Sequence, residues 1–167
     1  MNDAARTRAE ELRRSLHLTP HPEGGAFAEV YTSPVKAGGR PIAGSIFFLL
    51  EGEEISRMHR IDCDEIWYFH EGGGMMITVL DRGQVSRILL GRDIDRGQSP
   101  MAVVPAGALF ASENIDKSSY TLVSCATAPA FTYDAFRLID KSELKRDWPD
   151  AYPETGYLAL PKIDEWH

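Results

Sequence analysis

The stretch Arg57 to Gly72, RMHRIDCDEIWYFHEG, decides how this chain is read. It places His59 ahead of Glu65, runs through the apolar-aromatic segment Ile66 to Phe69, and closes at His70-Glu71-Gly72. Side chains alternate along an extended segment, so Glu65 and Trp67 share one face while Ile66, Tyr68 and His70 share the other. A second stretch, Val103 to Asn114 (VVPAGALFASEN), answers it further along. The two read as strand-turn-strand halves of one small barrel with a pocket between them.

Around these stretches the pattern is that of short strands. Ala26 to Thr32 alternates with a period of two, and Gly44 to Leu50 is nearly continuous in apolar residues, as expected where both faces are covered. Met75 to Leu80 and Gln84 to Leu90 flank Asp81-Arg82-Gly83, a hairpin signature. Met101 to Val104, Ala108 to Ala111, Ser119 to Ala126 and Phe131 to Leu138 add further strands, the last two separated by Ala128-Pro129. Ser33 to Pro41 and Gly91 to Ser99 read as loops. About nine strands result, without βαβ alternation, which favours an all-β sandwich or barrel of the jelly-roll type.

Helices are expected only at the ends. In residues 4–16, Ala5, Ala9, Leu12 and Leu16 recur at helical spacing, with Asn2 or Asp3 as cap. Thr19-Pro20-His21-Pro22-Glu23-Gly24-Gly25 then forces an ordered turn. Lys141 to Trp148 is a short helix capped by Ser142 and stopped by Pro149. The tail from Asp150 to His167 has no period and either packs on the body or stays loose.

Composition narrows the function classes. At 167 residues, 43% hydrophobic and 26% charged, the chain has the make-up of one soluble globular domain, with no linker or repeat dividing residues 1–167. A net charge of −7 disfavours nucleic acid and anionic membrane surfaces as partners. The longest apolar run is a strand's worth, far short of a membrane span. The charged N-terminus lacks a signal peptide's apolar segment, and Cys63 and Cys125 have no metal-type spacing. A cytoplasmic protein with free thiols is therefore expected. Nucleotide, phosphate-loop, GxSxG and CxxC motifs are absent.

The two central stretches resemble the paired motifs of the cupin superfamily. Its first motif carries two histidines, a glutamate and a strand ending at glycine; here His59 and Glu65 stand at matching positions and Ile61 replaces the second histidine. Its second motif is matched by Pro105, Gly107 and Asn114, with Phe110 where a histidine belongs. The wider chain, across residues 16–148, is similar to a branch of small bacterial and fungal cupins through HPEGGAF (21–27), SIFFLL (45–50), HRIDCDEIWYF (59–69), VVPAG (103–107) and APAFTYDAF (128–136). It departs from that branch at Tyr68, Phe110 and Arg137. The resemblance implies a cupin-type double-stranded β-helix, a jelly-roll barrel with short terminal helices, and a homodimer paired through exposed strands.

A cupin metal site uses three imidazoles and one carboxylate. Of these only His59 and Glu65 remain, which leaves a divalent transition metal largely to water and implies a chain without a cofactor. His70 falls on the face opposite Glu65 and cannot replace a ligand. His59 and Glu65 then read as a base and its orienting carboxylate, with Tyr31 or Tyr133 as proton donor. Metal-free sugar epimerases of the superfamily use a histidine base and a tyrosine acid, so the resemblance implies an isomerase or epimerase acting on a small polar, sugar-like molecule. The plainer reading is a structural histidine satisfied by a carboxylate, in a non-catalytic small-ligand binder. A weakly metal-dependent oxygenase is the third.

Ligand contacts are expected from Glu23 and Gly24, where glycine permits close approach, and from Phe27, Phe47, Trp67, Phe110 and Phe131, whose rings serve equally well as plain core. Arg57, with Arg40 and Arg60, is placed to grip a carboxylate or phosphate.

Overall fold

The computed structural model describes residues 1–162. Helix α1 (Asp3–Ser15) leads into β1 (Thr19–Pro20), β2 (Ala26–Thr32), the small ribbon β3 (Lys36–Ala37) and β4 (Arg40–Pro41), then β5 (Gly44–Glu51) and β6 (Ile55–Arg60). The chain continues through β7 (Asp64–Gly72), β8 (Met75–Asp81), β9 (Gln84–Leu90), β10 (Met101–Val104), β11 (Leu109–Asn114), β12 (Tyr120–Ala128) and β13 (Arg137–Leu138). It ends in the short helices α2 (Lys141–Asp147) and α3 (Tyr152–Thr155). Four of the strands are two-residue ladders; the longer ones are the strands expected from the sequence.

Two sheets face one another. One runs β1-β2-β5-β12-β7-β10 and the other β13-β6-β11-β8-β9, with neighbouring strands antiparallel. Non-consecutive neighbours in both sheets make this the jelly roll that the two motif stretches implied. Phe48, Trp67 and Val123 from the first sheet meet Ile77, Val79 and Phe110 from the second in the central core. Outside the first sheet, Ala5, Ala9 and Leu12 of α1 pack on Leu49, Tyr120 and Leu122. Outside the second, Met58, Leu80 and Ala111 meet Ile139, Leu144 and Leu158 of the C-terminal segment. The outer face of β7 and β10 is not covered in this way: Tyr68, Met101 and Val103 stay exposed there.

The motif strand β7 pairs with β12 on one side and β10 on the other, so Trp67 lies opposite Cys125 and Ala102. The alternation holds along its first half. Trp67 is 1% exposed on the core side, while Tyr68 is 39% exposed on the outer side. Near the strand's end the register shifts: Val123 faces Phe69 but Leu122 faces Glu71, so His70 is an extra residue, a β-bulge.

Three local expectations change. Phe131 to Leu138 is not a strand: it holds a 3₁₀ turn at Tyr133–Ala135 and only the two-residue β13. The Phe131, Tyr133 and Phe136 rings pack on one another there, which takes the segment off the ladder. Helix α2 is capped by Asp140, whose carboxylate accepts from the Glu143 N–H at 2.8 Å, while the Ser142 hydroxyl donates to Asp140. An ionised side chain two residues earlier is the better acceptor. The Ser33–Pro41 loop contains the β3–β4 ribbon. Of the tail, Tyr152 to Leu158 forms α3 and a 3₁₀ turn against the second sheet; residues 163–167 lie outside the described residues.

Candidate functional site

The cavity opens between the sheets at the end where β2, β5, β6, β7 and β12 converge with the 129–136 segment, and encloses about 330 Å³. That volume suits a small molecule. Its deep end holds Glu23, His59 and Glu65; its mouth holds Glu29, Tyr31 and Tyr133.

Glu23 reaches the interior because of the turn that carries it. His21 N–H donates to Gly25 O at 2.9 Å, Gly24 N–H to His21 O at 3.0 Å, and Arg57 N–H to Glu23 O at 2.8 Å. Gly24 adopts φ of +109°, and a Cβ there would sit 2.2 Å from Ile55 O. Only glycine allows the turn to press onto β6 this closely. Gly24 thus faces backbone and does not line the cavity; its contribution is to aim Glu23.

His59 fixes the site's proton geometry. Its Nδ1 lies 2.6 Å from the Arg57 carbonyl oxygen. A carbonyl only accepts, so Nδ1 carries the hydrogen and Nε2 of the neutral ring is a lone pair. That lone pair faces Glu23 Oε2 at 3.0 Å. One proton lies between them. Burial lowers the His59 pKa to about 4. Burial also raises that of Glu23, with His21 partly offsetting it. Both shifts put the proton on Glu23, so the pair is a carboxylic acid donating to a neutral imidazole. His21 sits beside it, with Nδ1 accepting from the Glu23 N–H at 3.3 Å; burial lowers its pKa too.

The carboxyl that meets His59 is therefore Glu23, and the Arg57 carbonyl, not Glu65, sets its tautomer. Glu65 lines the same cavity as a separate group. Burial, and then the nearby Glu23, push its pKa up to about 8, with Cys125 and Trp67 opposing. Its buried Oε2 has no hydrogen-bond partner, and neither has the Trp67 indole Nε1. A buried oxygen left unpartnered costs free energy, more so when it is charged, which agrees with the raised pKa.

The remaining expected residues divide. Phe27, Phe131, Tyr31 and Tyr133 line the cavity. Tyr31 and Tyr133 are 53% and 55% exposed and stand at the mouth, away from His59. The Tyr133 hydroxyl pKa is raised by burial, then by Glu29 and Glu23. Phe47 lies on the outer face under α1, where alternation along β5 puts it, and its ring meets His70. Trp67 is core. Phe110 pairs with His59 across β6–β11 and lays its ring 4.0 Å from the imidazole, capping the histidine without lining the cavity. Arg57 points away, donating to Tyr157 O at 3.0 Å. Arg40 is held by the Asp62 carboxylate and the Ala130 carbonyl. Phe136, whose ring is one of the aromatics the sequence offers for a pocket wall, lines the cavity as well; the residues that sequence reasoning missed are His21 and Glu29, although HPEGGAF already held His21 and Glu23 next to the glycine pair.

The superfamily's metal site does not fit these residues. Ile61 and Phe110 stand where imidazoles would coordinate, and His59 Nε2 is engaged with Glu23. Among the described residues no three His, Cys, Asp or Glu side chains are grouped to hold a metal ion. Nor, among them, is any helix long and apolar enough to cross a membrane.

Jelly-roll topology with an interior cavity lined by His59 and Glu65 of the first motif stretch is that of a cupin. The chain belongs to the family described as Cupin superfamily (DUF985), whose model matches residues 10–139. It is 26% identical to the uncharacterized protein YML079W of Saccharomyces cerevisiae, over 90% of this chain and 85% of that one. Protein SO0799 of Shewanella oneidensis superposes with a TM-score of 0.88 at 32% identity, covering 92% of this chain and 98% of that one. A hypothetical protein from Leishmania major gives 0.85 at 30%, covering 91% and 98%. Bacillus subtilis oxalate decarboxylase shares the fold at 16% identity and a TM-score of 0.57, over 87% of this chain and 38% of that one.

Proposed function

We propose that the cavity binds a small polar molecule and isomerises it by acid–base chemistry without a metal. The observation that carries this reading is the pair of oppositely tuned groups facing one cavity: Glu65 holding its proton to about pH 8, and His59 refusing one until about pH 4. Groups pushed apart in this way are suited to be acid and base near neutral pH.

The suited substrate carries a hydrogen on carbon next to a carbonyl. Glu65 donates its proton to the carbonyl oxygen. Glu23 accepts the carbon-bound proton while passing its own to His59 Nε2. The C–H and Glu65 O–H bonds break, an enol O–H forms, and Glu23 ends as it began. The imidazolium is steadied by Nδ1–H donating to Arg57 O, at 2.6 Å. Its charge is balanced by the Glu65 carboxylate, so the buried site stays neutral overall. Glu23 returns a proton to the neighbouring carbon as His59 gives back its own, and Glu65 recovers its proton from the adjacent hydroxyl as the new carbonyl forms, which completes an isomerisation. Tyr31 and Tyr133 act at the mouth as ligand contacts.

The test is solvent deuterium exchange into a panel of small hydroxy-carbonyl compounds that raise the protein's melting temperature. Exchange is expected to fall off below about pH 4 as His59 takes a proton and above about pH 8 as Glu65 loses one. Glu65→Gln and His59→Asn should each slow it about 100-fold or more. If bound compounds acquire no deuterium, the chain is a binder and not an isomerase.

A further inference from the structure

The cavity's two ends differ in what they offer a ligand, and the mouth has no role in the proton transfers above. We propose that this mouth is a seat for an organic ammonium group, so that the ligand of the pocket is a small amine or methylated ammonium compound. The inference deepens the isomerase reading and rests on it only in taking the cavity as the ligand site.

Charge argues first. No lysine or arginine lines the cavity among the described residues, while three glutamates do. Arg40, next in sequence to the lining residue Pro41, is tied by two hydrogen bonds to Asp62 and one to the Ala130 carbonyl. A phosphate or carboxylate would find no counter-charge in a chain whose net charge is already −7. In the depth, the Glu23–His59 pair and protonated Glu65 carry no net charge. The formal charge available to a ligand is therefore at the rim, where Glu29 is exposed on β2 close enough to act on the Tyr133 hydroxyl.

Ring geometry argues second. Phe131, Tyr133 and Phe136 cluster with centroids 5.1 to 6.3 Å apart and interplanar angles of 83°, 65° and 83°. The three rings pack edge to face, and with Tyr133 55% exposed the cluster lends its aromatic surface to the mouth. Tyr31 and Phe27 line the β2 side. A cation beside ring faces and one carboxylate is bound by both, most strongly where water is partly excluded. The unpartnered Glu65 Oε2 supplies the independent sign that a ligand belongs here: the polar end of such a molecule reaches it while the ammonium stays at the rim.

Titration calorimetry with choline and with its uncharged isostere, the alcohol in which carbon replaces the quaternary nitrogen, separates charge from shape. Choline is expected to bind about tenfold or more tightly than the isostere, with the preference eroded by salt. Glu29→Gln and Tyr133→Leu, both at exposed positions, should each bring the two ligands to near parity. Equal affinities in the wild type, or no binding of either probe, overturns the seat. His59→Asn keeps the choline preference under this proposal, so a cation seat without deuterium exchange would sink the isomerase reading alone. Exchange confined to uncharged compounds would sink the seat alone.

Discussion

Glu65 and Glu71 stand on the same strand and behave as opposites. Glu71 accepts from Arg8 Nε at 2.7 Å and Nη2 at 3.0 Å, and from the Tyr120 hydroxyl at 2.5 Å. The Arg8 guanidinium pulls its pKa down to about 2. Glu65 has no cation, a second buried carboxyl nearby and an unpartnered oxygen, and is pushed up to about 8. Strict alternation would put residues an even number apart on one face. The bulge at His70 breaks it, turning Glu71 outward beneath α1 while Glu65 stays inside. One glutamate is thereby spent fastening a helix and the other is kept for the cavity. The lesson is that a carboxylate's role follows from the face on which its backbone delivers it.

The largest expected effect comes from Glu65→Gln. Between its ordinary pKa of 4.5 and about 8, the unfolded chain has released this proton while the folded chain retains it. The group therefore lowers stability as pH rises, by about 1.4 kcal/mol per unit across that window. His59 acts with the opposite sign: the unfolded chain takes a proton below about 6.5 that the folded ring refuses until about 4, so stability falls as pH falls there. Glu65→Gln removes the first slope and leaves the second. Denaturant unfolding should show the variant gaining on the wild type from pH 5 to 8, by on the order of 4 kcal/mol at most. A difference independent of pH would erase the contrast between the two glutamates. Glu71→Gln gives the smallest effect. Its pair with Arg8 is exposed to solvent, so the loss at neutral pH should be far smaller than the Glu65→Gln difference and shrink in salt, as read from the same unfolding curves.

Much of this was legible in the sequence. Alternation in IWYFHEG, the 75–90 hairpin and the apolar 44–50 strand specified the sheets, because each depends on local spacing alone. His59, Glu65, Tyr31, Tyr133 and Glu23 were all legible as site candidates. Their partnership was not. Glu23 meets His59 because a glycine pair lets a distant turn press onto β6, and spacing between His59 and Glu65 carries no trace of that contact. Phe47 and Arg57 were misplaced for a related reason: an aromatic or a cation fits either face of a strand until the other elements are in position. The Phe131–Leu138 segment looked like a strand because rings recur along it, yet those rings pack edge to face on one another at the cavity mouth.

The central claim is that Glu65 is a protonated acid at neutral pH inside the cavity. Carboxyl carbon NMR on protein labelled at glutamate, titrated alongside Glu65→Gln, tests it directly. One glutamate resonance is expected to titrate near pH 8 and to disappear in the variant. A wild-type titration in which every glutamate carboxyl ionises near its ordinary pKa or below would contradict it.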